Sequence, residues 1–309
     1  MAVEKTAERF SFATFDLLKS ERIAGPRYSY WKSVFQTFLK KKTAVFWLVL
    51  LLALTLMSFV QPLVSGYDPA SAPNINNPET WYQKPSAQHY FGTDDRGNDL
   101  WDVVWAGTRM SLSIAFIASA INIVVGILVG AAWGFSKRLD PILLTVYNVI
   151  SNIPSILQSM MLMYILGRGF WQMILAMTLT GWLYIAYFIR NQVMIIRDRE
   201  YNLASKCLGT PMNRMVTRNL LPYMVSVIAT LVYQEIPGII NTETVLSYLG
   251  IGLPSTYPSL GRMIDVYWSF VDTYPHMILF PGIVMGLITI SFYIVGQLFA
   301  DASDPRTHR

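Results

Sequence analysis

The stretch Ala44-Val45-Phe46-Trp47-Leu48-Val49-Leu50-Leu51-Leu52-Ala53-Leu54-Thr55-Leu56-Met57-Ser58-Phe59-Val60-Gln61-Pro62-Leu63-Val64 decides the class of fold. It carries no charged side chain. A transmembrane helix needs roughly 20 mainly apolar residues to cross a hydrocarbon core about 30 Å thick, and this run is long enough. A helix is the form such a segment takes in lipid, because its backbone groups then pair within the segment. Lys40, Lys41 and Lys42 stand directly before it. They read as a stop against translocation; contact with anionic membrane lipid is the second reading. No convincing small-residue cleavage site accompanies the run, so it is expected to stay as an anchor.

The rest of the chain has the same character. Of 309 residues, 53% are hydrophobic and only 14% charged, against about 25% charged in an ordinary soluble domain. The deficit of charge is the stronger signal, since a wetted surface needs charges. Five more apolar stretches follow, at 111–135, 141–166, 171–189, 225–249 and 278–299. The expectation is an all-α integral membrane protein of about six transmembrane helices.

The basic residues set its orientation. Nine Lys and Arg residues, from Lys5 to Lys42, precede the first span. Lys137 and Arg138 follow the second, and Arg190, Arg197, Arg199, Lys206, Arg214 and Arg218 follow the fourth. The alternate loops hold only Lys84, Arg96, Arg168 and Arg262, with Arg109 near an interface. Positive charge marks the cytoplasmic side, so both termini are expected inside the cell. The organisation predicted is a cytoplasmic segment 1–43, a first transmembrane helix 44–64, an extracellular loop 65–110, a membrane core 111–300 with five helices and a cytoplasmic loop 190–224, and a cytoplasmic tail 301–309. Residues 33–42 form either a helix on the inner membrane surface or an extension of the first span. The net charge of +5 is thus a topology signal, and a nucleic-acid partner is not expected.

Several chemistries find no support. The dipeptide Gly-Lys does not occur, so there is no phosphate-cradling loop of the Walker type. Neither His-Glu-x-x-His nor Gly-x-Ser-x-Gly is present. Cys207 is the single cysteine, and His89, His276 and His308 are far apart. No catalytic residue, metal ligand or cofactor of this chain is predicted. If a chain of this kind does powered work, the energy comes from a partner or an ion gradient.

The loop after the fourth span is the most informative. In Arg199-Glu200-Tyr201-Asn202-Leu203-Ala204-Ser205-Lys206-Cys207-Leu208-Gly209, residues 200–208 predict a short helix stopped by Gly209, since glycine accepts the left-handed conformation at a helix end. Asn219-Leu220-Leu221-Pro222 closes the loop. This resembles the EAA loop of permease subunits in ATP-binding-cassette (ABC) importers: Glu-Ala-Ala, three residues, Gly, nine residues, Ile-x-Leu-Pro. Leu203-Ala204-Ser205 fills the first places, and Gly209, Leu221 and Pro222 match in spacing. Leu203, Ser205 and Asn219 depart from the pattern. Glu200 and Tyr201 match the Glu-Tyr that precedes the motif in peptide permeases.

Three more segments carry the same resemblance: Phe91-Gly92-Thr93-Asp94-Asp95-Arg96-Gly97-Asn98-Asp99, the run from Glu243 to Gly252 with Pro258-Ser259-Leu260-Gly261, and Asp304-Pro305-Arg306. The chain is most similar to the second permease subunit, of OppC or AmiD type, of Gram-positive oligopeptide importers. The resemblance implies a type I ABC importer permease fold and an oligopeptide substrate carried by alternating access. It implies as partners a second homologous permease subunit, two ATP-binding subunits that hold the ATP and Mg, and an extracellular peptide-binding lipoprotein. It makes Glu200, Tyr201, Ala204, Ser205, Gly209, Leu221 and Pro222 the coupling loop that docks on an ATPase. A dipeptide or nickel permease is the alternative. A self-sufficient secondary transporter is a more distant one, since no internal repeat is visible.

Polar residues inside the spans mark a candidate path. Asn148, Ser151, Asn152, Ser155 and Gln158 recur at helical spacing and would share one face of a continuous helix. They line a path or bond to neighbouring helices. Gln234, Glu235 and Asn241 surround Pro237-Gly238, where a helix break is expected. Glu235 would meet the amino terminus of a peptide or a structural donor on another helix. Gly126, Gly130 and Gly134 predict a close helix approach, inside the chain or toward a second subunit. Asp94, Asp95, Asp99 and Asp102 lack the spacing of an EF-hand and read as helix caps.

Overall fold

The computed structural model describes residues 29–69, 71, 73–254 and 256–304. Residues 1–28 of the N-terminal segment, and Pro305 and Arg306 of the tail, lie outside the described residues. Among those described, the regular structure is helical, and the only strand-like contact is an isolated bridge between Thr93 and Asp99. Five helices are long and apolar enough to cross a membrane, and a bent pair makes up to six.

Helix α1 (Tyr30–Lys40) is a separate element. Lys41 is extended, at φ −81° and ψ 108°, and divides it from α2 (Lys42–Val64). It is therefore not an extension of the first span. Its Val34 and Phe38 are buried, with Phe38 edge-on to Phe299 at 5.9 Å. The Tyr30 hydroxyl donates to the Ser303 carbonyl at 2.6 Å.

Helix α3 (Leu100–Phe135) starts eleven residues before the expected 111 and ends where expected. Asp102 and Arg109 dilute the apolar signal of its first turns. Asp99 nevertheless caps them, accepting from the Trp101 amide at 2.9 Å. Leu100, Val104 and Trp105 are buried in the main core.

The third apolar stretch is not one helix. Helices α4 (Leu139–Ser151) and α5 (Ser155–Leu166) meet at 82°. Pro154 has no amide hydrogen to donate and disfavours helical geometry in the residue before it. The expectation that Asn148 through Gln158 share one helix face is overturned by this break.

Helix α6 (Phe170–Arg197) forms its largest interface with α3. The glycine seam lies between them. A Cβ on Gly126 would stand 2.5 Å from Ile185 Cγ2, one on Gly130 2.5 Å from the Ala186 carbonyl, and one on Gly134 2.7 Å from the Arg190 carbonyl. The close approach is internal to the chain. Helix α6 outruns its apolar stretch because its late arginines are partnered. Arg190 pairs with Asp140, Nε to Oδ1 at 2.7 Å, and Arg197 donates to the Gly134 carbonyl at 2.6 Å.

Helix α7 (Glu200–Cys207) precedes Gly209, which adopts φ +75° as a left-handed stop requires. A run of short turns from Met212 to Met224 leads into α8 (Val225–Tyr248). The break expected at Pro237-Gly238 does not occur, and α8 runs through both. Proline removes one backbone bond there, but Ile236, Ile239 and Ile240 are buried in the core and hold the segment in place. Helices α9 (Leu260–Trp268) and α10 (His276–Ala302) complete the bundle.

Candidate functional site

The bend between α4 and α5 opens a cavity of about 480 Å³ against α3, α6 and α8. Four of the eight predicted path residues line it: Ser151, Ser155, Gln158 and Glu235. Asn148, Asn152, Gln234 and Asn241 are exposed and are not among its walls. Gln158 mends the break. Its Nε2 donates to the carbonyls of Ile150 at 2.9 Å and Ile153 at 2.7 Å, near where the proline interrupts the helix. Asn152 Nδ2 donates to the Asn148 carbonyl at 2.6 Å, closing the last turn of α4.

Glu235 enters the cavity from α8 and accepts from Asn122 Nδ2 of α3 at 2.8 Å. Asn122 was not among the predicted residues. The signal was present, since it is the lone amide within residues 111–135, and polar side chains in lipid-spanning helices are costly. Gly181 of α6 makes room for it, because a Cβ there would lie 2.5 Å from Asn122 Nδ2.

The other carboxylate of α8 is elsewhere. Glu243 is fully buried and accepts from the hydroxyls of Ser111 at 3.0 Å, Ser247 at 3.1 Å and Ser259 at 2.6 Å. The Ser111 hydroxyl in turn accepts from the Leu260 amide at 3.1 Å. These bonds tie α3, α8 and the start of α9 together.

At one end of the bundle, α7 is tethered along one side. Asn202 is buried and its Nδ2 donates to the Ile196 carbonyl at 2.9 Å. Asn219 Nδ2 reaches Asn202 Oδ1 at 3.1 Å and the Ser205 hydroxyl at 3.4 Å. Ser205 and Asn219 are two of the departures from the EAA pattern, and they face one another. Tyr201 stacks on Tyr223 with ring centroids 5.8 Å apart. The other side of α7 is open: Glu200, Leu203 and Ala204 are exposed, and Leu208 just beyond is 86% exposed. Pro222 is exposed and Leu221 half-buried on the turns that return to the bundle.

Of the aspartates read as helix caps, Asp99 caps α3, whereas Asp94 is occupied by its own loop and Asp102 lies inside the helix. Asp94 is buried and accepts from the amides of Arg96 at 2.9 Å and Asn98 at 2.7 Å, and from Asn98 Nδ2 at 2.9 Å. Burial pushes its carboxyl above the ordinary carboxylate range, against the pull of those bonds. Asp99 caps α3 and meets His89 Nδ1 at 2.9 Å, and Asp102 accepts from Gln61.

Residues 122–309 match the family described as the binding-protein-dependent transport system inner membrane component. The chain belongs to this permease family. Residues 29–85 of the permease match the N-terminal TM domain of oligopeptide transport permease C. The permease is 48% identical over 302 residues to the oligopeptide transport system permease protein AmiD of Streptococcus pneumoniae, covering 98% of each chain. It is 32% identical over 291 residues to OppC of Bacillus subtilis, covering 94% of each. It is 31% identical over 295 residues to the dipeptide transport system permease protein DppC of the same organism, covering 94% of the permease and 90% of DppC. Among solved structures it is similar to a chain of the MetNI methionine ABC transporter in an inward-facing conformation. That likeness has a TM-score of 0.57 at 15% identity and covers 65% of the permease and 96% of the other chain. The permease is a multi-pass membrane protein with the type I ABC importer fold.

Proposed function

We propose that the chain is a pore subunit of an ABC importer that carries oligopeptides across the cell membrane by alternating access. The observation that carries this reading is the cavity inside the membrane bundle, walled by a broken helix and by the polar side chains of Ser151, Ser155, Gln158, Asn122 and Glu235. A cavity of that size falls within the roughly 300–1,000 Å³ of small-ligand sites. The 48% identity to an oligopeptide permease favours oligopeptide cargo. The 31% identity to DppC keeps dipeptides as the second reading.

The chain works with a second permease subunit, two ATP-binding subunits and an extracellular peptide-binding lipoprotein. ATP and Mg are bound and used on the ATP-binding subunits, and this chain is not itself an enzyme. Both termini, segment 1–43, loop 190–224 and tail 301–309 face the cytoplasm; loop 65–110 faces outward. Helix α7 is the coupling element. Its tethered side, through Asn202 and Asn219, passes motion to the bundle, and its open side meets the ATPase. A rigid docked element shifts packed helices between discrete arrangements rather than deforming them smoothly.

The test is reconstitution. The permease purified with its partner subunits should import a labelled hexapeptide into proteoliposomes only with ATP, and the isolated chain should import none. ATP-independent uptake by the isolated chain, or uptake of nickel in place of peptide, would overturn the proposal.

A further inference from the structure

The cavity walls carry one carboxylate, Glu235, and no Lys, Arg or His. Among the described residues, its one hydrogen-bond partner is Asn122 Nδ2, which reaches a single oxygen at 2.8 Å. Asn122 is buried, yet its Oδ1 has no partner. The bond to Glu235 fixes the orientation of that amide, since a turned amide would set two acceptors face to face. Tyr147 and Tyr184 add aromatic rings to the wall, and ring faces attract cations. The site therefore offers an ionisable carboxyl group and spare acceptors, with no positive group among its walls. A structural bond between α3 and α8 needs only one acceptor and no ionisable group. Uncompensated charge within a membrane-spanning helix is costly and marks a functional site.

Resting on the reading of this cavity as a peptide path, we propose that Glu235 and Asn122 form a subsite for a primary ammonium group of the passing peptide. An ammonium brings three N–H donors and one positive charge, which answers the free carboxylate oxygen and Asn122 Oδ1 together. The group comes from the peptide's amino terminus or from a lysine side chain.

The experiment uses the full importer in nanodiscs without the binding protein, carrying Ser155→Cys on the cavity wall. Modification of this cysteine by a small water-soluble thiol reagent is followed by mass spectrometry. Mass spectrometry resolves this site from Cys207, which lies in α7 outside the cavity, and the importer without added peptide sets the reference rate. Three probes are added: tetra-alanine, N-acetyl-Ala-Ala-Lys-Ala and N-acetyl-tetra-alanine. Either of the first two should protect position 155 at about tenfold lower concentration than the third, the worth of one charge-assisted contact. Protection by tetra-alanine alone identifies the amino terminus as the source, and protection by both admits the lysine side chain. Glu235→Gln keeps the acceptor for Asn122 and should abolish the preference, whereas Glu235→Asp should retain part of it. Equal protection by all three peptides, or a preference that survives in Glu235→Gln, overturns the ammonium subsite and leaves the path intact. A cysteine that reacts freely and is protected by none of them overturns the path reading itself, and the subsite with it.

Discussion

The Ser259 hydroxyl donates to the Glu243 carboxylate across 2.6 Å while accepting from the Arg262 amide at 3.2 Å. One side chain thus caps α9 and anchors it to the buried carboxylate of α8. Glu243→Ala leaves the hydroxyls of Ser111 and Ser247 without this acceptor inside a packed core. The expected loss is at least about 2 kcal/mol, because each unsatisfied buried group costs about 1–3 kcal/mol. Ser259→Ala removes a cap and one bond and should cost about 1–2 kcal/mol. Thermal unfolding of the purified protein in detergent checks both. Unchanged midpoints would show that these bonds do not hold the helices together.

Gly130 sits where α3 and α6 touch backbone to backbone. Gly130→Ala places a methyl group 2.5 Å from the Ala186 carbonyl and 2.9 Å from Ala186 Cα, so the helices must separate. Overpacking of this kind costs about 1–3 kcal/mol. Gly286 on α10 has nothing within 4 Å of its would-be Cβ, so Gly286→Ala should be neutral. The same unfolding measurement separates the two. Equal tolerance at both sites would contradict the close approach.

The apolar ends of the helices were legible in the sequence, because an abrupt loss of apolar residues after Val64 and Phe135 leaves little choice. The start of α3 was not, since its first turns depend on the Asp99 cap and on burial of Leu100 and Trp105, which composition does not record. The polar stripe from Asn148 to Gln158 misled because helical spacing was read across Pro154. That proline was the better signal, and Gln158 repairs the gap it makes. At Pro237 the reverse held: buried isoleucines on both sides outweighed one missing backbone bond. The pairing of Asn122 with Glu235 joins positions 113 residues apart, and one sequence carries no trace of which distant residues meet.

Asp94 should give the loop before α3 a pH dependence. Burial, with a smaller contribution from neighbouring Asp95, raises its carboxyl above the unfolded value. The folded state then holds the proton more tightly than the unfolded chain does. Stability from this group is fully present below the ordinary carboxylate value of about 4 and is lost as pH rises through the raised folded value. Asp94→Asn cannot titrate and also gives up an acceptor for Asn98 Nδ2, a loss that does not vary with pH. The unfolding midpoint of the wild type, measured relative to Asp94→Asn, should therefore climb on acidification. A difference that stays flat or shrinks toward low pH would refute the assignment.

The open side of α7 offers the sharpest test of coupling. Leu203 is 44% exposed and Leu208 86% exposed, so neither belongs to the buried core of this chain. Replacing either by Asp should leave the unfolding midpoint of the isolated permease nearly unchanged, within the roughly 0.5 kcal/mol typical of surface sites. If α7 is the docking element, the same changes bury a charge in the interface and weaken ATPase binding about tenfold or more. Asn202→Ala acts from the other side. It removes the tether to the Ile196 carbonyl and the partner of Asn219, so ATPase subunits should still bind while peptide-dependent ATP hydrolysis falls. Co-purification and ATPase assays distinguish the two failures. Normal co-purification with Leu203→Asp and Leu208→Asp together would move the docking surface away from α7.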